Sequence, residues 1–162
     1  MLKEEEFVRV IKRNEGVIFK ITTMYSDNRA DQQDLYQDVV YQLWKSFDSF
    51  RAESKMSTWM YRIALNTALT KLRKTKRMGH SVSIDQVIMR QTENYDSEFE
   101  EKLKVLYAHI KELNALEKGV VLLLLEGKKY EEISEITGLS PGNVGTRVSR
   151  IKQKLRKQIL KN

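Results

Sequence analysis

Cysteine is absent from the 162 residues, and proline occurs once. Without thiols there is no disulfide framework, no thiolate metal site and no cysteine nucleophile, and the absence suits a reducing compartment. Histidine occurs only as His80 and His109, far apart in sequence. His80 sits at the edge of a polar stretch and His109 within an amphipathic one, so both are expected to be surface or packing residues. The chain shows no carboxylates at metal-binding spacing, no phosphate-cradling glycine loop and no nucleophile–base set, so no metal, no cofactor and no enzymatic activity are expected. No apolar run approaches the ~20 residues of a membrane span. Leu122 to Leu125 is too short, and the N-terminus lacks the basic, apolar and small-residue zones of a signal peptide. A soluble, cytoplasmic protein without membrane insertion is expected.

What remains is rich in helix formers. Hydrophobic residues make up 41%, enough for packed cores. Abundant Leu, Ile, Lys, Glu and Gln, with seven glycines and one proline, predict an all-α fold. A net charge of +7 implies a polyanionic partner, with nucleic acid ahead of a membrane surface. That charge is divided. Residues 1–78 carry fifteen basic and ten acidic side chains, residues 79–112 four and seven, and residues 113–162 ten and five. The polar stretch from Gly79 through Ser97 lacks a helical apolar period, apart from a docked turn expected around Ile84, Val87 and Ile88. The expected organisation is a helical domain at 1–78, a linker at 79–97 and a second helical domain at 98–162, without internal repeats.

The C-terminal domain carries the sharpest signal. Ser97 is a candidate helix cap before Glu98, Glu100 and Glu101, and Leu103, Leu106, Ile110 and Leu113 follow at helical spacing. A helix from about Ala115 to Glu126 should stop at Gly127. Ile133, Ile136 and Leu139 recur at three-residue spacing, and Gly138 ends their helix where a left-handed residue is needed. Ser140 suits the cap of the next helix and Pro141 its first position. That helix places Val144, Val148, Ile151 and Leu155 on one stripe, leaving Asn143, Thr146, Arg147 and Arg150 opposite. From Ser140 to Asn162 there are seven Lys or Arg and no acidic residue. Such a helix-turn-helix with a basic free face suits the major groove.

Three helices are legible in the N-terminal domain. Phe7, Val10, Ile11, Val17, Ile18 and Ile21 give the first an apolar side, with Gly16 weakening its middle. Asp31 is a candidate cap for the second, whose inner stripe is Leu35, Val39, Leu43 and Phe47 or Trp44. Its outer side presents Asp34, Gln37, Asp38, Gln42 and Lys45, an acidic and amide edge that DNA would repel and a basic protein surface would accept. The third runs from about Ser57 to Lys76, with Met60, Ile63, Ala64, Thr67, Ala68 and Leu72 inward. It starts with Trp59, Tyr61 and Arg62 and ends in Lys71, Arg73, Lys74, Lys76 and Arg77, and rings beside cations suit single-stranded nucleic acid. The loop from Phe50 to Met56 has polar and basic tips. A helix-turn-helix regulator that binds DNA alone would also carry the C-terminal features, but would not need the edge at Asp34 and Asp38.

Together these segments resemble the extracytoplasmic-function class of the sigma-70 family of bacterial RNA polymerase sigma factors. Asp34-Leu35-Tyr36-Gln37-Asp38 through Leu43-Trp44 is similar to the family's region 2.2. Ser57-Thr58-Trp59-Met60-Tyr61-Arg62-Ile63-Ala64-Leu65-Asn66 is similar to the segment spanning regions 2.3 and 2.4. Tyr130-Glu131-Glu132-Ile133 with Gly142-Asn143-Val144-Gly145-Thr146-Arg147 is similar to region 4.2. The resemblance implies that Asp34, Leu35, Gln37 and Asp38 grip the clamp coiled coil of the β′ subunit of core RNA polymerase. It implies that Arg51, Lys55, Trp59, Arg62, Asn66, Arg73 and Lys74 meet the −10 promoter element, an extruded base lying in the loop before the third helix. It also implies −35 contacts from Tyr130, Glu131, Asn143, Gly145, Thr146, Arg147, Ser149 and Arg150, docking of this domain on the β flap, and a linker threading the RNA exit channel. An anti-sigma factor is a further expected partner. Gly145 stands where many members carry Lys or Arg, which shifts weight onto Thr146, Arg147 and Arg150. The sequence ends at Asn162 without a sensory extension, so control is expected from outside the chain.

Overall fold

The computed structural model describes residues 2–50, 55–77 and 97–161. The expected linker up to residue 96, its docked turn and the tip of the loop after Phe50, including Arg51, lie outside the described residues. Among the described residues the secondary structure is helical, as the composition predicts. The chain divides into two compact units, Met1–Val87 and Ile88–Asn162.

Among the described residues the first unit has four α-helices where the sequence suggests three. Helix α1 spans Lys3–Arg13 and α2 spans Glu15–Met24. The break falls at Asn14, two residues before Gly16, where helix propensity is lowest. Asn14 leaves helical geometry (φ −121°, ψ 22°). Its side-chain amide donates to the Val10 carbonyl at 2.8 Å, competing with the helical ladder. Glu4, Glu5 and Glu6 open α1 while Lys12 and Arg13 close it, matching both ends of its dipole.

Helix α3 spans Arg29–Ser46 and is capped by Asn28 rather than Asp31. The Asn28 side-chain oxygen accepts from the Asp31 N–H at 2.8 Å, and its amide donates back to the Asp31 carboxylate at 3.0 Å. Asp31 sits at the third helical position, where its charge still favours the positive helix start. Leu35, Val39 and Leu43 are buried as the stripe requires. A 3₁₀ turn, Phe47–Ser49, follows.

Helix α4 spans Met56–Arg77 and packs against both α2 and α3. Two partners cover more than one stripe, so Thr58, Trp59, Tyr61 and Leu65 are buried besides Met60, Ala64 and Ala68. Ile63, Thr67 and Leu72, expected inside, are only half-buried. Inside the unit, Gln32 donates to the Thr22 hydroxyl at 2.9 Å, joining α2 to α3 through a satisfied buried pair.

The second unit contains α5 (Ser97–Lys111), α6 (Ala115–Leu125), α7 (Tyr130–Thr137) and α8 (Pro141–Lys161). Helix α5 opens on Ser97 itself, which is therefore its first helical residue rather than the flanking cap. Asn114 and Glu117 form a reciprocal capping box at the start of α6. Gly127, at φ +78°, ends α6 as the sequence predicts, and the Lys128 N–H closes onto the Leu123 carbonyl at 3.1 Å. Val120 to Leu123 are all buried because α6 meets α5, α7 and α8. Ile110, Ile133, Ile136, Val144, Val148 and Ile151 complete this core.

Candidate nucleic-acid interface

Local chemistry fixes the angle between α7 and α8. Gly138 takes φ +82°, and its N–H bonds the Ser134 carbonyl at 2.9 Å. The Ser134 hydroxyl donates to the Leu139 carbonyl, tying the turn back to α7. The Ser140 hydroxyl oxygen accepts the Asn143 N–H at 3.2 Å, and Pro141 opens α8. Turn, cap and first residue are those read from the sequence.

Burying Val144, Val148 and Ile151 leaves Asn143, Thr146, Ser149 and Arg150 exposed on α8. Arg147 departs from the expected face. At 100° per residue it lies beside the apolar stripe, so it is half-buried and its Nε is enclosed without a hydrogen-bond partner. The Thr146 hydroxyl donates to the Gly142 carbonyl at 3.1 Å. Its hydrogen is thus engaged, leaving a methyl group and acceptor lone pairs for a partner. Tyr130 is 39% exposed, and its ring borders Gly145: a β-carbon there would stand 3.5 Å from ring atom Cε2. Glu131 is exposed beside it at the start of α7.

In the first unit, Asp34, Gln37, Asp38, Gln42 and Lys45 are exposed along α3, but Leu35 is 3% exposed and belongs to the core. Leu35 therefore holds the edge in place and presents no surface of its own. Asp38 is engaged as well, accepting from Lys71 of α4 at 2.9 Å. Tyr41, 58% exposed beneath the Lys45 ammonium (5.5 Å to the ring centre), was missed in the sequence because it lies off the inner stripe. It separates two grooves. One, of about 580 Å³, runs between α1 and α3 and is walled by Phe7, Val8, Tyr36, Val40 and Trp44. The other, of about 570 Å³, runs between α3 and α4 and is lined by Asp38, Gln42, Asn66, Thr70, Lys71 and Lys74. Burial pushes the Tyr36 hydroxyl above its ordinary pKa, and the Glu15 carboxylate adds to the shift.

Of the residues expected at the −10 element, Lys55, Asn66, Arg73 and Lys74 are exposed and Arg62 is half-buried. Arg62, Asn66 and Arg73 recur at intervals of four and seven and share one side of α4. Trp59 is different. It is 7% exposed, with Phe50 at 5.1 Å and Phe47 at 6.4 Å between ring centres. Its ring is taken up by this aromatic cluster, which Phe7 and Trp44 extend edge-on, and is not open to a stacking base.

Residues 10–78 match the family model of sigma-70 region 2, and residues 103–155 match that of sigma-70 region 4. The chain is 28% identical over 174 residues to the ECF RNA polymerase sigma-E factor of Haemophilus influenzae, covering 96% of this chain and 88% of that one. It is 27% identical over 165 residues to the sigma-E factor of Escherichia coli K12, covering 93% and 84%. Among solved structures, the fold resembles the sigma factor RpoE of Bartonella quintana, crystallised with the anti-sigma factor NepR. That match has a TM-score of 0.75 at 22% identity and covers 96% of this chain and 95% of that one. It also resembles CnrH in complex with the cytosolic domain of CnrY, at a TM-score of 0.70 and 19% identity, covering 99% and 91%. Two family models in order, with relatives matched over 88% and 84% of their length, establish that the chain belongs to the extracytoplasmic-function group of sigma-70 family sigma factors.

Proposed function

We propose that this sigma factor binds core RNA polymerase through the α3 edge and directs it to promoters by two separate DNA contacts. The exposed face of α8, Asn143, Thr146, Ser149 and Arg150 with Tyr130 and Glu131 beside it, takes the −35 element in the major groove. The side of α4 carrying Arg62, Asn66 and Arg73, with Lys55 and Lys74, takes the opened −10 element. In this reading 1–78 is the polymerase and −10 domain, 98–162 the −35 domain that also docks on the β flap, and 79–97 a tether whose acidic bias mimics nucleic acid in the RNA exit channel. The single observation that carries it is the α8 face: the Ser140 cap, the left-handed Gly138 and three buried residues fix which side chains face outward.

On the polymerase side, Asp34, Gln37 and Asp38 present acid and amide groups to a basic surface. The exposed Tyr41 supplies the kind of large, rigid contact that dominates protein interfaces. The chain contributes recognition and no bond chemistry, which the polymerase performs. Among the described residues no helix is long and apolar enough to cross a membrane. In this reading the protein works beside the polymerase in the cytoplasm. An anti-sigma factor, as NepR is for the Bartonella quintana neighbour, is the expected regulator and would compete for the same surfaces. Transcription of a genomic fragment library by core polymerase, with and without this protein, tests the reading and reports both promoter elements. New start sites sharing two spaced motifs are expected. No change in start-site selection at low salt overturns it.

A further inference from the structure

The ion pair between Asp38 on α3 and Lys71 on α4 joins two surfaces with different proposed partners. Asp38 belongs to the edge offered to polymerase, and Lys71 belongs to the basic end of the helix offered to DNA. The two meet at 2.9 Å, with 54% and 38% of their side chains exposed, in the groove that also holds Asn66, Thr70 and Lys74. We infer that Lys71 is a further DNA-backbone ligand of this groove, held in reserve by Asp38 until polymerase takes that carboxylate. The inference rests on the proposed assignment of the α3 edge to polymerase and α4 to DNA.

The physical case has three parts. An ion pair this exposed is weak, so a basic side chain of the polymerase or a backbone phosphate can exchange into it without a large penalty. While the pair is closed, the ammonium is partly neutralised, and a phosphate entering the groove would meet the Asp38 carboxylate as well. Once a cation from polymerase engages Asp38, Lys71 is released beside Lys74 on the next turn, and the two cations follow Asn66 along the lining of one groove. The same pair thus links two binding events. By reciprocity, DNA in the groove that draws Lys71 away leaves Asp38 more available to polymerase by the same factor.

The test is the binding of the 162-residue chain, without polymerase, to a fluorescent 20-nucleotide thymidine oligomer over a range of sodium chloride concentrations. Asp38→Asn is expected to raise low-salt affinity about threefold and to steepen the slope of log affinity against log salt by about 0.7, the signature of one added phosphate contact on a single strand. Lys71→Gln alone is expected to change little, and the double variant to lose the whole gain. Asp34→Asn removes the same charge from the same helix away from Lys71 and reports the general effect of a lost acid. Circular dichroism of each variant checks that the helices persist. Equal gains for Asp38→Asn and Asp34→Asn, insensitive to Lys71→Gln, overturn the reserve role while leaving the functional reading intact. Failure of every variant to bind the oligomer, together with failure of the unaltered chain to co-elute with core polymerase, overturns both.

Discussion

The Glu117 carboxylate receives the Lys154 ammonium at 3.1 Å while accepting the Asn114 backbone N–H at 3.2 Å. One buried acid thereby caps α6 and anchors α8, the helix proposed to enter the groove. Its side chain is 9% exposed and that of Lys154 is 55% exposed, so the two partners carry unequal weight. Glu117→Ala should destabilise the second unit by about 1–3 kcal/mol, through the lost cap and the unsatisfied groups left behind. Lys154→Ala should cost no more than about 1 kcal/mol, since water replaces an exposed ammonium readily. Hydrogen exchange of the α6 amides in the 162-residue chain measures both.

Two glycines in the helix-turn-helix should respond oppositely to alanine. At Gly138 a β-carbon would meet nothing within 4 Å, but the left-handed backbone (φ +82°) opposes any L side chain. Gly138→Ala should therefore cost about 1–2 kcal/mol from backbone conformation alone. At Gly145, inside α8, a β-carbon stands in ordinary contact with the Tyr130 ring at 3.5 Å. Gly145→Ala should stabilise by about 0.5–1 kcal/mol, the helix-propensity difference. Urea unfolding followed by helical signal reports both signs.

Trp59 should behave as a core residue. Trp59→Ala removes a buried ring from the cluster with Phe47 and Phe50 and should cost about 3–5 kcal/mol. Trp59→Phe should recover much of that. Because the ring is enclosed by this cluster, both variants should bind the thymidine oligomer like the unaltered chain at a temperature where they are folded. Weaker binding by folded Trp59→Phe would return a stacking role to this residue.

What the sequence disclosed, and what it did not, follows from how locally each feature is specified. The turn at Gly138 and the caps at Ser140 and Gly127 depend on residues within a few positions and were legible. The break at Asn14 was hidden because the apolar period continues across it, and only an amide folding back onto the Val10 carbonyl reveals the stop. Asp31 was a plausible cap, but Asn28 three residues earlier takes the extended conformation and the bond. At the candidate site, the exposed face of α8 was read correctly except for Arg147, whose place beside the stripe depends on how far the core extends around the helix. The Asp38–Lys71 pair and the two grooves at Tyr41 could not be read, since residues 33 positions apart meet only through the packing of α3 on α4.

Arg150 and Arg147 separate recognition from packing on a single helix. Arg150 is exposed on the face opposite Val144 and Val148, and its guanidinium fork can take two acceptors on a guanine edge or a phosphate. Arg150→Ala should weaken binding to a duplex bearing the selected −35 element by about 1–3 kcal/mol and leave folding stability unchanged. If the contact is to a base, binding to a scrambled duplex should fall much less, and Arg150→Lys should not restore the difference, because an ammonium lacks the fork. Arg147, half-buried with its Nε enclosed, should show the reverse pattern. Arg147→Ala removes the aliphatic stem that covers the edge of the apolar stripe, so its cost should appear mainly as lower stability. Anisotropy titrations on both duplexes, run beside thermal unfolding of each variant, place the two arginines. A loss of −35 selectivity in Arg147→Ala greater than in Arg150→Ala would mean that α8 enters the groove rotated toward its packed side, with Arg147 rather than Arg150 at the base edges.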